Sequence, residues 1–148
     1  MSTVLLHLIP RDHLFVPTIA SAESARTELQ TLMSGDEATS TVNDRVMYFS
    51  TLEGDHSISC PYCNQLLDDQ WFGEQMEAAD QTEFVDLSTV TPCCGRTTSL
   101  NDLTFSPDEG FARYELSVWN VSRALEDEEI TALERTLGTS LRQVLAVL

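Results

Sequence analysis

The pattern of hydrophobic and polar positions in the first third of the chain predicts three secondary-structure elements. Residues 3–9 (TVLLHLI) form an apolar run broken only by a histidine, which is typical of a buried strand. Residues 21–35 predict a helix that Ser21 can cap and that Gly35 can end. Four apolar residues share one face of this predicted helix: Ala25, Leu29, Leu32 and Met33. Residues 45–52 (RVMYFSTL) are rich in β-formers and predict a second strand.

A strict alternation of apolar and polar residues returns at residues 111–121 (FARYELSVWNV). One side of this segment is apolar, and it consists of Ala112, Tyr114, Leu116 and Val118. The other side carries Arg113, Glu115 and Ser117. A period of two residues predicts a half-buried strand.

The end of the chain predicts two helices. In residues 126–138, Ile130, Leu133 and Leu137 fall on one face, and acidic residues crowd the first turn, where they complement the helix dipole. Gly138 fits the position that ends this helix. Residues 139–148 (TSLRQVLAVL) then predict a second helical segment, because their Ser and Gln have the spacing of a capping box.

The middle of the chain, about 54–108, has a different hydrophobic pattern, made of short segments without long periodicity. It contains all four cysteines. The order is therefore β-α-β, a cysteine-rich insert, and then β-α. We predict one α+β domain over residues 1–148, with a small sheet, helices on one face, and a metal-binding insert at about 54–108.

The charge is strongly acidic. The chain has 24 acidic residues against eight basic ones, every basic residue is arginine, and the formal net charge is -16. The absence of lysine excludes a phosphate-loop lysine and Schiff-base chemistry. Nucleic acid is not an expected partner, because phosphate binding needs a basic face. The acidity is typical of a solubilising surface, and it is equally compatible with a surface that attracts a basic protein partner.

The segment MSTVLLHLIPRDH has an apolar run without a preceding basic residue and without a cleavage signal, so we expect a first strand and no signal peptide. No apolar run is long enough to span a bilayer, and no membrane association is expected. A cytoplasmic, reducing compartment follows as an expectation. Closely spaced cysteines in such a compartment usually serve metal binding or redox chemistry.

The stretch Cys60-Pro61-Tyr62-Cys63 admits a redox interpretation, because it resembles the active-site tetrapeptide of glutaredoxins. In that family the motif opens a long helix, whose N-terminus helps to lower the pKa of the first thiol. Here the following segment, NQLLDDQWFGEQM, is acidic, is interrupted by a glycine and has no basic residue. A thiol-disulfide redox protein is therefore the alternative hypothesis.

The metal interpretation uses all four cysteines: Cys60, Cys63, Cys93 and Cys94. CPYC and TPCCG resemble the paired knuckles of zinc ribbons, in which two short turns hold one ion between four thiolates. A closed four-thiolate site has no open position for substrate, so its expected role is structural, with Zn²⁺ as the ion. Cys93 and Cys94 are adjacent, whereas the two cysteines of a zinc-ribbon knuckle are usually separated by two other residues. One of the two is a spectator if His56 or Asp55 supplies the fourth ligand instead.

Four segments of the chain resemble those of an uncharacterised bacterial family of small acidic proteins: CPYC, TPCCGRTTSLNDL, GFARY and LGTSLRQVLAVL. That resemblance implies no activity.

We predict a non-enzymatic, zinc-stabilised acidic domain that binds a protein partner. A third hypothesis is a zinc hydrolase that uses His56 with a carboxylate. Trp71 and Phe72 are candidates either for an exposed anchor or for packing of the insert. Ser99 is expected to cap a short helix, and Arg96 to balance the thiolate charge.

Overall fold

A computed structural model of the chain describes residues 3–51 and 56–148. In chain order the elements are β1 (Val4–Pro10), α1 (Ile19–Leu32), β2 (Thr39–Phe49), β3 (Ser57–Ser59), α2 (Asp69–Asp80), β4 (Ser88–Val90), β5 (Thr97–Ser99), a 3₁₀ turn (Leu100–Asp102), β6 (Thr104–Ser106), β7 (Gly110–Trp119), α3 (Asp127–Leu137) and β8 (Leu141–Val147).

Four strands form the main sheet, in the order β2-β7-β1-β8, and every neighbouring pair is antiparallel. The chain therefore runs β-α-β, passes through an insert, and then runs β-α-β again. This element and strand order is that of the split βαβ, or ferredoxin-like, arrangement. The predicted α+β class is confirmed.

Helices α1 and α3 pack on the same face of the main sheet, as the apolar stripes predict. On that face Leu6 lies opposite Val118, and Leu8 lies opposite Leu116. Leu29 of α1 and Leu133 of α3 have no exposed surface. These side chains belong to one buried cluster, the main core, which contains none of the four cysteines.

The chain that leaves β2 covers part of the opposite face of the sheet. The ring of Phe49 lies 4.9 Å from the ring of His7, centroid to centroid. Two residues later, the carbonyl of Thr51 accepts a hydrogen bond from the N–H of Val147 at 3.0 Å. The insert therefore begins on the face that α1 and α3 leave open.

The predicted helix at 139–148 is wrong, because this segment forms strand β8. It pairs with β1 along its whole length, from Pro10–Leu141 to Val4–Val147. Gln143 does not complete a capping box, since its side-chain oxygen accepts a hydrogen bond from the N–H of Leu125 at 2.7 Å. An available edge of β1 decided the conformation of a segment whose local pattern suited a helix.

Other boundaries shift by a few residues. Helix α1 begins two residues earlier than predicted, because the side chain of Thr18 caps it by accepting the N–H of Ser21 at 3.1 Å. Strand β2 begins at Thr39, six residues before the predicted start at residue 45, and a bulge follows Val42. Helix α2 lies in a part of the insert for which no helix was predicted.

Several predicted details are confirmed. The four apolar residues of the 111–121 segment are fully buried. Gly138 ends α3 in the left-handed conformation, with a φ of 79°. Ser99 caps the 3₁₀ turn, since its hydroxyl accepts the N–H of Asn101 at 3.1 Å.

A second buried cluster, the second core, lies between the insert and strands β2 and β7, which contribute Val46 and Phe111 to it. Strands β3 and β6 form one small sheet, and β4 and β5 form another. Ile58, Phe72, Leu100 and Phe105 are among the buried residues that these elements and α2 bring together, and Cys60 lies among them. The assignment of the whole chain to a single domain stays a prediction.

Among the helices of the described ranges, none combines the length and the apolar character that a membrane span requires.

Candidate metal centre

The first two cysteines lie on a tight turn, the first knuckle (residues 60–65). The N–H of Cys60 donates to the carbonyl of Gln65 at 2.9 Å, and the N–H of Asn64 donates to the carbonyl of Cys60 at 3.0 Å. Asn64 has a φ of 62°, in the left-handed region that asparagine tolerates better than most residues. The knuckle therefore forms the tip of a small hairpin that begins with β3.

The other two cysteines lie on the second knuckle (residues 91–96), between β4 and β5. The N–H of Thr91 donates to the carbonyl of Arg96, and the N–H of Gly95 donates to the carbonyl of Thr91, both at 2.9 Å. Gly95 has a φ of 68°. The second knuckle repeats the backbone pattern of the first, with positions 60 and 91, 63 and 94, and 64 and 95 corresponding.

The two knuckles bring all four predicted thiols together. The sulfur of Cys60 lies 3.7 Å from that of Cys94, and the sulfur of Cys63 lies 3.3 Å from that of Cys93. The sulfurs of Cys93 and Cys94 are 4.0 Å apart, and all four lie within 4.8 Å of one another. The cysteines are free thiols, so the four sulfurs are positioned to hold one metal ion.

The protein environment shifts the pKa values of two of these thiols in opposite directions. Burial acts to raise the pKa of Cys60, but hydrogen bonds from the backbone N–H groups of Cys63 and Tyr62 and from neighbouring thiols bring it down to about 6. Burial and the contacts with the other thiols raise the pKa of Cys93 to about 12. The thiols therefore compete for negative charge, and a bound cation relieves such competition.

Groups around the thiols stabilise them further. The N–H of Tyr62 points to the sulfur of Cys60 at 3.4 Å, and the hydroxyl of Thr91 lies 3.3 Å from the sulfur of Cys94. The guanidinium of Arg96 lies over the ring of Tyr62, 5.0 Å from its centroid. The predicted role of Arg96 in balancing the thiolate charge stays a prediction.

His56 lies in a different cluster. Its Nδ1 is 3.1 Å from a carboxylate oxygen of the buried Glu109, and its Nε2 is 3.5 Å from a carboxylate oxygen of Asp69. Tyr48 donates its hydroxyl hydrogen to the same Glu109 carboxylate. Within the described residues, the thiol cluster does not include His56. Asp55, the other candidate for a substitute ligand, lies outside the described residues.

The aromatic pair Trp71-Phe72 packs the insert together. Phe72 is buried, and its ring meets that of Phe105 edge-on with centroids 5.8 Å apart. Trp71 is half-buried against the same core. Of the two alternatives, packing of the insert is the one that the structure supports.

A buried polar cluster joins the insert to the main sheet, and sequence reasoning missed it. Arg142 of β8 donates to the carbonyl of Glu109 at 2.6 Å and to the carbonyl of Asn101 at 2.8 Å. Its Nε lies 3.1 Å from a carboxylate oxygen of Asp108. The available signal was an arginine within an apolar C-terminal segment.

No protein-family model, no curated protein and no solved structure matches this chain. The resemblance to a bacterial family of small acidic proteins therefore stays a prediction.

Proposed function

We propose that the four cysteines hold one structural Zn²⁺ ion in a site of the zinc-ribbon type, and that the protein acts by binding another protein. The observation that carries the metal proposal is the distance set among the four sulfurs. Zinc–sulfur bonds of about 2.3 Å in a tetrahedron place the sulfurs about 3.8 Å apart. Three of the sulfur–sulfur separations, 3.3, 3.7 and 4.0 Å, bracket that value.

A structural role fits the donor set and its surroundings. Four thiolates complete a tetrahedron and leave no open position where water or a substrate would bind. The insert is built from strands of three residues each and a single helix of 12 residues, elements that are marginal alone. Because Cys60 lies in the second core, a metal held there would contribute directly to folding of the insert.

Two observations support the metal interpretation over thiol-disulfide redox chemistry. The chain after CPYC stays non-helical until Asp69, so the motif does not open a helix as it does in glutaredoxins. Cys60, which would be the attacking thiol, has no exposed surface, and an attacking thiolate must be reached by its partner disulfide.

The expectation of a basic protein partner rests on the charge. Residues 64–95 contain no Lys, Arg or His, and the whole chain carries a formal net charge of -16. Helix α2 exposes four carboxylates to solvent: Asp69, Glu74, Glu77 and Asp80. Such a surface accelerates encounter with a positively charged protein and repels an acidic one.

The metal proposal is tested by native mass spectrometry of the purified protein, before and after treatment with a chelator, with thiols counted in parallel. We expect one zinc per chain and no alkylated thiol until the metal is removed. A metal-free protein in which Cys60 and Cys63 are readily alkylated would overturn the proposal and favour the redox alternative.

The partner proposal is tested by capturing binding proteins on the immobilised chain and titrating each at low and high salt. We expect the affinity for a true partner to fall steeply between about 50 mM and 500 mM salt, because the Debye length shrinks below the span of the charged surface. The double variant E74Q/E77Q should bind more weakly at low salt and converge with the wild type at high salt. An affinity that does not depend on salt would contradict a charge-driven interaction.

A further inference from the structure

We infer that the second knuckle is a Cys-x-x-Cys knuckle whose first ligand has moved two positions along the chain, from the place of Thr91 to Cys93. This inference rests on the proposed metal site. It assigns both adjacent cysteines as ligands, and it makes Thr91 a residue that positions Cys94 without binding the metal.

The backbone carries the first part of the argument. Both knuckles close with the same pair of hydrogen bonds, and both place a left-handed residue directly after the last cysteine, with φ values of 62° and 68°. The flanking residues also correspond, since Ser59 bridges Leu66 just as Val90 pairs with Thr97. In this alignment Thr91 occupies the position of Cys60.

The environments of the corresponding residues also match. Cys60 and Thr91 both have no exposed surface, whereas Cys63 and Cys94 are both exposed. The Thr91 hydroxyl lies 3.3 Å from the sulfur of Cys94, on the side of the turn where the first-position ligand belongs. A threonine hydroxyl is not among the ligands that zinc takes in structural sites, so the donor must come from elsewhere.

Cys93 can supply that donor from the third position of its knuckle. Its sulfur lies 3.3 Å from that of Cys63 in the other knuckle and 4.0 Å from that of Cys94. The third position of the first knuckle is Tyr62, which is 47% exposed and lies beneath Arg96. The same turn thus directs its third side chain outward in one knuckle and supplies a thiol to the cluster in the other.

Thr91 has a positioning role in this arrangement. Its hydroxyl accepts the N–H of Arg96 at 3.2 Å, and its hydroxyl hydrogen has two acceptors within reach, the sulfur of Cys94 at 3.3 Å and the carbonyl of Arg96 at 3.4 Å. Such outer contacts orient a ligand and stabilise its negative charge. Thr91 also fills the buried space that a first-position cysteine would occupy.

The test compares the wild type with C93S, T91C/C93S and T91C. Zinc affinity is measured by competition with a chelator, and the number of sulfur ligands by X-ray absorption on the zinc-loaded protein. C93S should have three sulfur ligands and lose affinity by more than about 100-fold, because even outer-shell losses cost 10–100-fold. T91C/C93S should regain four sulfur ligands and most of the affinity. T91C alone should keep four.

The mirror experiment moves the ligand of the first knuckle. C60T should lose affinity as C93S does, and C60T/Y62C, which turns CPYC into TPCC, should recover it. Y62S is the matched control, and we expect its affinity to stay near that of the wild type.

The outcomes separate this inference from the proposed function. A wild-type protein that binds no zinc would overturn both. A zinc-bound wild type whose number of sulfur ligands and zinc affinity do not change in C93S, or no recovery in T91C/C93S, would overturn the displaced-ligand inference and leave the structural zinc site in place. If C93S does not fold, the recovery in T91C/C93S still decides the question.

Discussion

At the scale of single residues, Asn101 does the most to hold the insert against the main sheet. Its amide nitrogen donates to the carbonyls of Arg11 at 2.7 Å and of Phe111 at 3.1 Å. Its amide oxygen accepts the N–H of Phe111 at 2.8 Å and a guanidinium N–H of Arg142 at 3.1 Å. One buried amide thereby satisfies backbone groups on two segments and a guanidinium N–H on a third, all distant from one another in the sequence.

Substitution N101L should lower the free energy of unfolding by about 3 kcal/mol, because the near-isosteric side chain leaves buried backbone groups unpaired. Urea denaturation of the zinc-loaded protein measures the change. The exposed Gln70 offers a control, since Q70A removes only a surface contact to Glu74. Equal stability of N101L and Q70A would contradict the assigned role.

His7 is the second residue whose burial has a measurable consequence. Its Nδ1 has no hydrogen-bond partner within the described residues, and the side chain lies against Phe49 on the face of the sheet opposite α1 and α3. Burial disfavours the charged imidazolium and lowers the pKa of His7 from 6.5 to about 4.

This shift predicts that the free energy of unfolding decreases as the pH is lowered. The unfolded chain binds a proton at His7 near pH 6.5, whereas the folded chain binds it only near pH 4, so acidification through this window favours unfolding. The loss should reach about 2 kcal/mol at pH 5. We expect H7F, which keeps the aromatic contact, to lack this part of the pH dependence in urea denaturation at pH 7.5 and 5. Parallel pH profiles for H7F and the wild type would refute the prediction.

At the scale of elements, the knuckles depend on one left-handed residue each, and the chain fills the two positions with asparagine and glycine. Asn64 and Gly95 follow the last cysteine of their turns. A side chain at Gly95 would meet no heavy atom within 4 Å, so any cost of substitution there comes from the backbone conformation itself.

G95N should therefore preserve the second knuckle, and G95V should cost about 1–2 kcal/mol, since a β-branched residue rarely adopts this conformation. Thermal unfolding of the zinc-loaded variants measures the difference. Identical stability of G95N and G95V would show that the turn does not need the left-handed residue.

At the scale of the whole molecule, the candidate metal centre lies in an insert between the second and third strands of a split βαβ sheet. The main core has no cysteine, and the second core contains Cys60. The polar contacts of Arg142 and Asn101 join the two parts. The fold by itself implies no activity, because this arrangement serves many functions.

Removal of the metal should therefore loosen the molecule unevenly. With a chelator present, we expect hydrogen exchange to accelerate in the two knuckles and in the β4–β5 hairpin, while the amides of β1 and β8 remain protected, because their core does not contain the site. Exchange measured by mass spectrometry with and without the chelator tests this. A uniform loss of protection over the whole chain would show that both cores fold as one unit.

Elements and motifs that depend on residues close together in the sequence could be predicted without the structure. Periodicity located β1, α1, β7 and α3, because each buries one face or stripe against a common core and its apolar residues recur accordingly. The spacing of Cys60 and Cys63 marked the first half of the metal centre, since two thiols of one turn can face one ion. The acidic composition is a property of the sequence alone.

Features that depend on residues far apart in the sequence could be recognised only in the folded structure. Strand β8 needed the edge of β1, because Leu141–Val147 is compatible with either conformation until a partner strand is present. The two knuckles lie on hairpins that helix α2 separates in the sequence. No local pattern specifies that these hairpins bring their cysteines together. The roles of Thr91 and Cys93 became distinguishable once the turns could be superposed by their hydrogen bonds. CPYCN and TPCCG already share a proline and a cysteine at matching positions, but a ligand shifted by two residues is visible only where its sulfur lies.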